Sequence, residues 1–170
     1  DFSSVKHMTT AGEALNPEVY RQFEKATGLQ IIEGFGQTES TMIVGNMVGA
    51  PHKIGSMGKP APIYDVSIVD PDGNPVPMGE VGEIVGRSAM LMPGYYNRPD
   101  LTAQAVRDGW LFTGDLGMAD ADGYLHLVDR KKDMIISGGV NVYPRDIDEV
   151  AVRHPAVREV AVFGAASDKW

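Results

Sequence analysis

In Gly34-Phe35-Gly36-Gln37-Thr38-Glu39-Ser40, small residues stand beside a hydroxyl and a carboxylate. That set suits phosphate oxygens together with a magnesium ion, a cation that prefers hard oxygen ligands. Farther on, Phe112-Thr113-Gly114-Asp115-Leu116 presents an isolated acid on a tight turn, a group able to accept hydrogen bonds from two vicinal ribose hydroxyls. A third stretch, Asp129-Arg130-Lys131-Lys132-Asp133, brings the planar fork of a guanidinium close to the flexible backbone of Ser137-Gly138-Gly139. Each has a plainer reading alone. Thr38 and Glu39 could cap a helix, Asp115 could stabilise a turn, Arg130 could be a solvated surface cation, and Gly138-Gly139 could close a hairpin. Occurring together in this order, they favour a nucleotide site.

The elements that must position these groups can be read around them. Asn16-Pro17 has the form of a helix start, with Val19, Phe23 and Ala26 at helical spacing and Gly28 as a left-handed terminator. Residues 29–33 then read as a buried strand opening into a 34–40 loop, the place where layered α/β folds put ligands. From about residue 54 the pattern changes. Short alternating runs at 65–69 and 82–86, interrupted by prolines and by the turn sequences Asp70-Pro71-Asp72-Gly73 and Ala119-Asp120-Ala121-Asp122-Gly123, predict an irregular β-barrel with a short helix at 101–107. A strand at 124–128 leads to the basic segment. Beyond it the pattern predicts a strand at 134–136, a helix from Pro144 to about His154, and a strand at 157–163. The expected fold class is α/β plus β: the end of a layered αβ unit (1–53), a β-barrel-like unit (54–129), a hinge (130–132) and the start of a small α+β unit (133–170).

Composition narrows the partners. A formal charge of −8 argues against nucleic acid, which needs a basic face. The absence of cysteine excludes disulfides, thiolate nucleophiles and Cys-ligated metals. No apolar run approaches the roughly 20 residues of a membrane span, and a cytoplasmic location is the expectation. Neither His7, His52 nor His154 has metal-ligand spacing, and His126 alternates with apolar positions on a strand, which predicts a half-buried ring. Met90, Met92 and Met134 read as core filler, whereas Met42, Ile43 and Val44 follow the first motif directly and are candidates to touch substrate.

The ordered motifs resemble the adenylate-forming superfamily of acyl-CoA synthetases, luciferases and peptide-synthetase adenylation domains. Thr10-Ala11-Gly12-Glu13-Ala14-Leu15 is similar to its adenine-contacting loop, Gly34-Phe35-Gly36-Gln37-Thr38-Glu39 to its aromatic-Gly-x-Thr-Glu motif, and Trp110 through Leu116 to its Thr-Gly-Asp motif. Gly82-Glu83-Ile84 and Gly94-Tyr95-Tyr96-Asn97-Arg98-Pro99 are similar to its β-section signatures. The resemblance implies a carboxylate–CoA ligase acting on a fatty or aryl acid with ATP, Mg2+ and coenzyme A, and is compatible with a homo-oligomer. It assigns Thr38 to an α-phosphate oxygen and Glu39 to magnesium, both as catalytic groups. Nucleotide contacts fall to Gly12, Glu13, Ala14, Gly34, Phe35 (stacked on adenine, unless it is a core residue), Gly36, Asp115 and Arg130. Lys132 becomes the hinge, and Ser137, Gly138 and Gly139 border the CoA arm. The family's phosphate loop and catalytic lysine have no counterpart here, and Lys169 falls too early to be that lysine. This implies an internal piece, inactive alone. The alternatives are a luciferase-like or peptide-synthetase adenylation enzyme, or a non-catalytic nucleotide-binding piece.

Overall fold

A computed structural model describes residues 2–13 and 15–165 of the chain. Met8–Thr10 (β1) runs parallel to Ile31–Gln37 (β2), and helix Pro17–Thr27 (α1) connects them. The helix starts and stops where local chemistry requires. The Asn16 side chain accepts a hydrogen bond from the Glu18 amide, Pro17 occupies the first turn, and Gly28 ends the helix in the left-handed region at φ 71°. Its buried face differs from the expected Val19, Phe23 and Ala26 stripe. Val19 is 52% exposed, and the buried residue is Tyr20, whose phenol lies 3.1 Å from His52 Nε2.

The expected 34–40 loop is mostly strand. β2 continues through Gln37, turns at residues 38–40 and pairs antiparallel with Thr41–Gly45 (β3). Gly36 permits this hairpin: a Cβ there would stand 1.8 Å from the Thr41 carbonyl oxygen, and the register shifts between Phe35 and Gly36. Such a bulge re-aims the residues that follow it. Lys59–Pro60 (β4) completes a sheet of order β1-β2-β3-β4.

A second, curled half-barrel sheet contains Asp65–Val69 (β5) and Gly82–Arg87 (β6), then, after helix Pro99–Ala105 (α2), Val106–Arg107 (β7), Trp110–Ala119 (β8) and Leu125–Arg130 (β9). The predicted 101–107 helix thus lies two residues earlier, and Val106-Arg107 pair with β8 instead. Both predicted Asp turns form. Asp70 Oδ1 accepts from the amides of Asp72 and Asn74, and Asp120 Oδ1 from those of Asp122 and Tyr124.

The two sheets share one core, in which Ile43 and Val44 meet Ile68, Ile84 and Leu111. Ile43 and Val44 are fully buried there, so of the three substrate candidates only Met42 stays exposed. Met90, 56% exposed, does not fill the core either. His126 is half-buried, as predicted, between the Gly55 carbonyl and Asp120.

Residues 130–134 form a tight turn, with the amides of Asp133 and Met134 donating to the Arg130 carbonyl. Ile135–Ser137 (β10) and Val140–Val142 (β11), a strand absent from the prediction, form a hairpin before helix Pro144–Ala151 (α3). Residues 157–163 do not form the predicted strand; the Val162 amide instead donates to Asp148 Oδ1. Arg145 ties α3 to β9, its amide donating to Asp129 Oδ2 and its Nη1 to the Leu127 carbonyl.

Gly58 joins the two sheets by bridging to Leu125 at φ 102°, where a Cβ would lie 2.2 Å from the Gly45 carbonyl carbon. Gly58→Ala combines a left-handed penalty with a backbone clash and should destabilise the fold by roughly 2–4 kcal/mol. Thermal unfolding of the full-length protein should show a lower midpoint; an unchanged midpoint would refute this account of the junction.

Candidate functional site

A cavity of about 960 Å3 opens between the end of β2, the β8–β9 pair, the 130–133 turn and α3. Gly12, Glu13, Gly34, Phe35, Gly36, Asp115, Arg130 and Lys132 all contribute to its wall. Residues chosen from separate stretches of sequence therefore meet in one place. The remaining candidates do not. Thr38 and Glu39 lie off the wall in the β2–β3 turn, directly after the wall residue Gln37. Ser137, Gly138 and Gly139 are not part of the wall: Ser137 ends β10 and the two glycines form its turn with β11, at φ 59° and 82°. Ala14 lies outside the described residues. Phe35 is a core residue, 9% exposed, that also contributes to the wall, because at the end of β2 one side chain serves both.

Asp115 is built from several directions. Gly114 turns β8 at φ 74°, and its amide donates to Glu83 Oε1. Thr113 Oγ1 donates to the Ile84 carbonyl and accepts from the Asp115 amide. Asp115 Oδ2 accepts a 2.7 Å bond from Gln37 Nε2, which also donates to the Thr113 carbonyl. Oδ1 has no protein partner among the described residues. The carboxyl is pushed above the ordinary Asp range by burial, against the opposing pull of the Gln37 hydrogen bond and the Arg130 charge. Arg130 pairs directly with Asp115 across β8–β9, and its guanidinium has no hydrogen-bond partner among the described residues. An acceptor oxygen and a cationic fork thus share one wall, both open to a ligand.

Three supporting residues escaped the sequence reading. Gln37 filled a variable motif position, and nothing local indicates that its amide reaches a strand 78 residues away. Glu83 stood in a recognised signature, yet its role appears only in three dimensions: Oε2 accepts from Lys131 Nζ at 2.7 Å, tying the basic turn to the half-barrel. Glu33 is buried in the wall, where its Oε1 accepts from the Leu15 amide and burial raises its carboxyl.

The β2–β3 turn keeps its own open groups. Thr38 is exposed, and its hydroxyl has no hydrogen-bond partner among the described residues. Glu39 accepts from Tyr95 Oη at 2.7 Å through Oε1 and from the Met92 amide through its backbone carbonyl, while Oε2 has no partner among the described residues. Among those residues no three His, Asp or Glu side chains could hold a metal by themselves. A single open carboxylate fits Mg2+, which commonly takes its other ligands from phosphates and water. No helix of the described residues is long and apolar enough to cross a membrane.

The family model described as AMP-binding enzyme matches residues 1–96. A long-chain-fatty-acid–CoA ligase of Yersinia pestis is 43% identical over 99% of this chain and 30% of its own length. The anthranilate CoA ligase AuaEII, solved in complex with anthranoyl-AMP, superimposes with a TM-score of 0.90 at 36% identity, over 98% of this chain and 32% of that one. ATP-bound MatB from Rhodopseudomonas palustris gives 0.91 at 32% identity, over 96% and 33%. The chain thus spans about 30% of the length of the curated relative.

Burial of Asp115 has a measurable consequence. Because its carboxyl holds a proton more tightly folded than unfolded, ionisation opposes folding, and stability falls as pH rises from the ordinary Asp range through the raised value. Asp115→Asn should therefore raise the unliganded thermal midpoint at pH 7, with the gain vanishing below the ordinary Asp range. A variant no more stable than wild type at pH 7 would contradict this assignment.

Proposed function

The chain belongs to the AMP-binding enzyme family, and from that premise we propose that it is part of an ATP-dependent carboxylate–CoA ligase. The observation that carries the reading is that Asp115, with one carboxylate oxygen committed to Gln37, shares a cavity wall with Arg130, and that among the described residues neither the other Asp115 oxygen nor the Arg130 guanidinium has a hydrogen-bond partner. Ligase names among the relatives and an acyl-adenylate in a structural neighbour support it.

In the first step a carboxylate oxygen of a fatty or aryl acid attacks the α-phosphorus of ATP. The bond to pyrophosphate breaks and an acyl-adenylate forms. Asp115 accepts from the ribose hydroxyls, and Arg130 donates to the ribose or the phosphates. Gly34, Gly36 and one face of Phe35 border the adenine. Thr38 donates a hydrogen bond to an α-phosphate oxygen, and Glu39 holds Mg2+. The metal, when bound, neutralises charge on the phosphates. Donors set in place before reaction lower the barrier because they need no reorganisation as charge develops. In the second step the thiol sulfur of coenzyme A attacks the acyl carbon, AMP leaves, and a thioester results. Rotation about Lys132 changes the pose of residues 133–165 between the steps, and the Gly138-Gly139 turn gives the pantetheine arm a side-chain-free border.

In a full-length enzyme carrying this stretch, Asp115→Ala should weaken ATP binding by about 2–3 kcal/mol, the scale of lost charge-assisted hydrogen bonds. Titration calorimetry with ATP measures it; an unchanged dissociation constant would remove Asp115 from the ribose. AMP release should also require the acid, ATP and coenzyme A together, and release with an amine or carrier protein in place of coenzyme A would redirect the second step.

A further inference from the structure

The loop carrying Gly94-Tyr95-Tyr96-Asn97-Arg98-Pro99 has no part in the reaction described above, yet it grips Glu39 twice. The Met92 amide donates to the Glu39 carbonyl at 2.7 Å, and Tyr95 Oη donates to Glu39 Oε1 at 2.7 Å. Tyr95 is itself held from the opposite side. Its amide donates to Thr102 Oγ1 at 2.9 Å, Thr102 Oγ1 donates to the Arg98 carbonyl, and the Arg98 amide donates to the Tyr95 carbonyl. At Gly94, φ 146°, a Cβ would lie 3.0 Å from the Thr102 side chain, so the loop passes tightly over α2.

We propose that Tyr95 is a positioning residue for the magnesium-binding carboxylate, fixing Oε1 of Glu39 so that Oε2 is the oxygen offered to the metal. The inference rests on the assignment of Glu39 to magnesium made above. Its physical basis is the kind of donor employed. A neutral phenol orients the carboxylate while leaving its full negative charge available to a cation. A lysine or arginine at that position would orient it equally well but would neutralise the charge and compete with Mg2+. Among the described residues Glu39 has no ion-pair partner and its second oxygen has no hydrogen-bond partner, so both the charge and the ligating atom are preserved. Presetting one rotamer also reduces the ordering that metal binding must impose.

The test uses the full-length protein as wild type, Tyr95→Phe, Glu39→Gln and the double variant. Calorimetry measures Mg2+ affinity in the presence of saturating α,β-methylene ATP, and separately AMP affinity without metal. Unliganded thermal midpoints are recorded alongside. Tyr95→Phe keeps the ring and removes only the hydroxyl. It should raise the Mg2+ dissociation constant roughly tenfold, the scale of one hydrogen bond to a charged group, and leave AMP affinity unchanged. In the Glu39→Gln background it should add nothing further. An unchanged Mg2+ affinity in Tyr95→Phe, beside a weakened one in Glu39→Gln, overturns the role of Tyr95 and leaves the Glu39 reading standing. Unchanged affinity in Glu39→Gln overturns both. An equal loss of AMP affinity, or a further loss in the double variant, marks Tyr95 as a loop fastening only and also overturns the proposal.

Discussion

Asp115 is almost fully withdrawn from water, and a carboxylate in that position must find partners or lose its charged form. Much of the surrounding architecture answers this demand. Gln37 crosses from β2 to donate to one oxygen, the Thr113 hydroxyl receives the Asp115 amide, and Arg130 supplies positive charge from the paired strand. The compensation is partial: the carboxyl remains above its usual range, and one oxygen is left without a partner among the described residues. Full compensation would give a quieter protein and leave no acceptor for a ligand. The deficit in local stability comes with an acceptor oxygen that the described residues leave unused.

Holding Gln37 in place requires β2 and β3 to meet closely, and Gly36 makes that approach possible. Any larger residue would drive its Cβ into the Thr41 carbonyl. The hairpin so formed buries Ile43 and Val44 against the half-barrel, so the strand that carries the 38–40 turn is anchored in the shared core. Packing on one face of β2–β3 therefore sets the position of Thr38 and Glu39 at its end. The side chains given up to the core, Phe35 in part and Ile43 and Val44 wholly, are no longer free to select a substrate.

A further set of long-range bonds links pieces that local structure would leave independent. Glu83 spans the Gly114 amide and Lys131, joining the acid-bearing turn to the basic one. Tyr95 links the loop before α2 to the Glu39 turn, and Arg145 fastens α3 to the β9 backbone. Each is a side chain reaching backbone or carboxylate across a gap. Such bonds can be broken at modest cost when partly exposed, which suits a cavity whose wall is assembled from several segments.

What could be read from residues alone were the features whose cause is local. Asn16 and Pro17 start a helix because the Asn16 side chain accepts from the Glu18 amide and Pro17 brings no amide hydrogen that needs a partner. Asp70 and Asp120 make turns through bonds two and four residues on. Asp115 and Arg130 stand out by type and motif, and the fold sets both on one cavity wall. The end of β2 differs from the expected loop because Gly34 and Gly36 carry no strand signal and become extended only by pairing with β3, while Thr38 and Glu39 stay in the turn that follows. Tertiary structure alone decided that Gln37 would hold Asp115, that Phe35 would serve the core as well as the wall, and that Thr38 and Glu39 would stand beside the cavity in a turn gripped by Tyr95. Those outcomes depend on strand register and on hydrogen bonds spanning 56 to 78 positions, and a local pattern holds no record of which distant group will arrive.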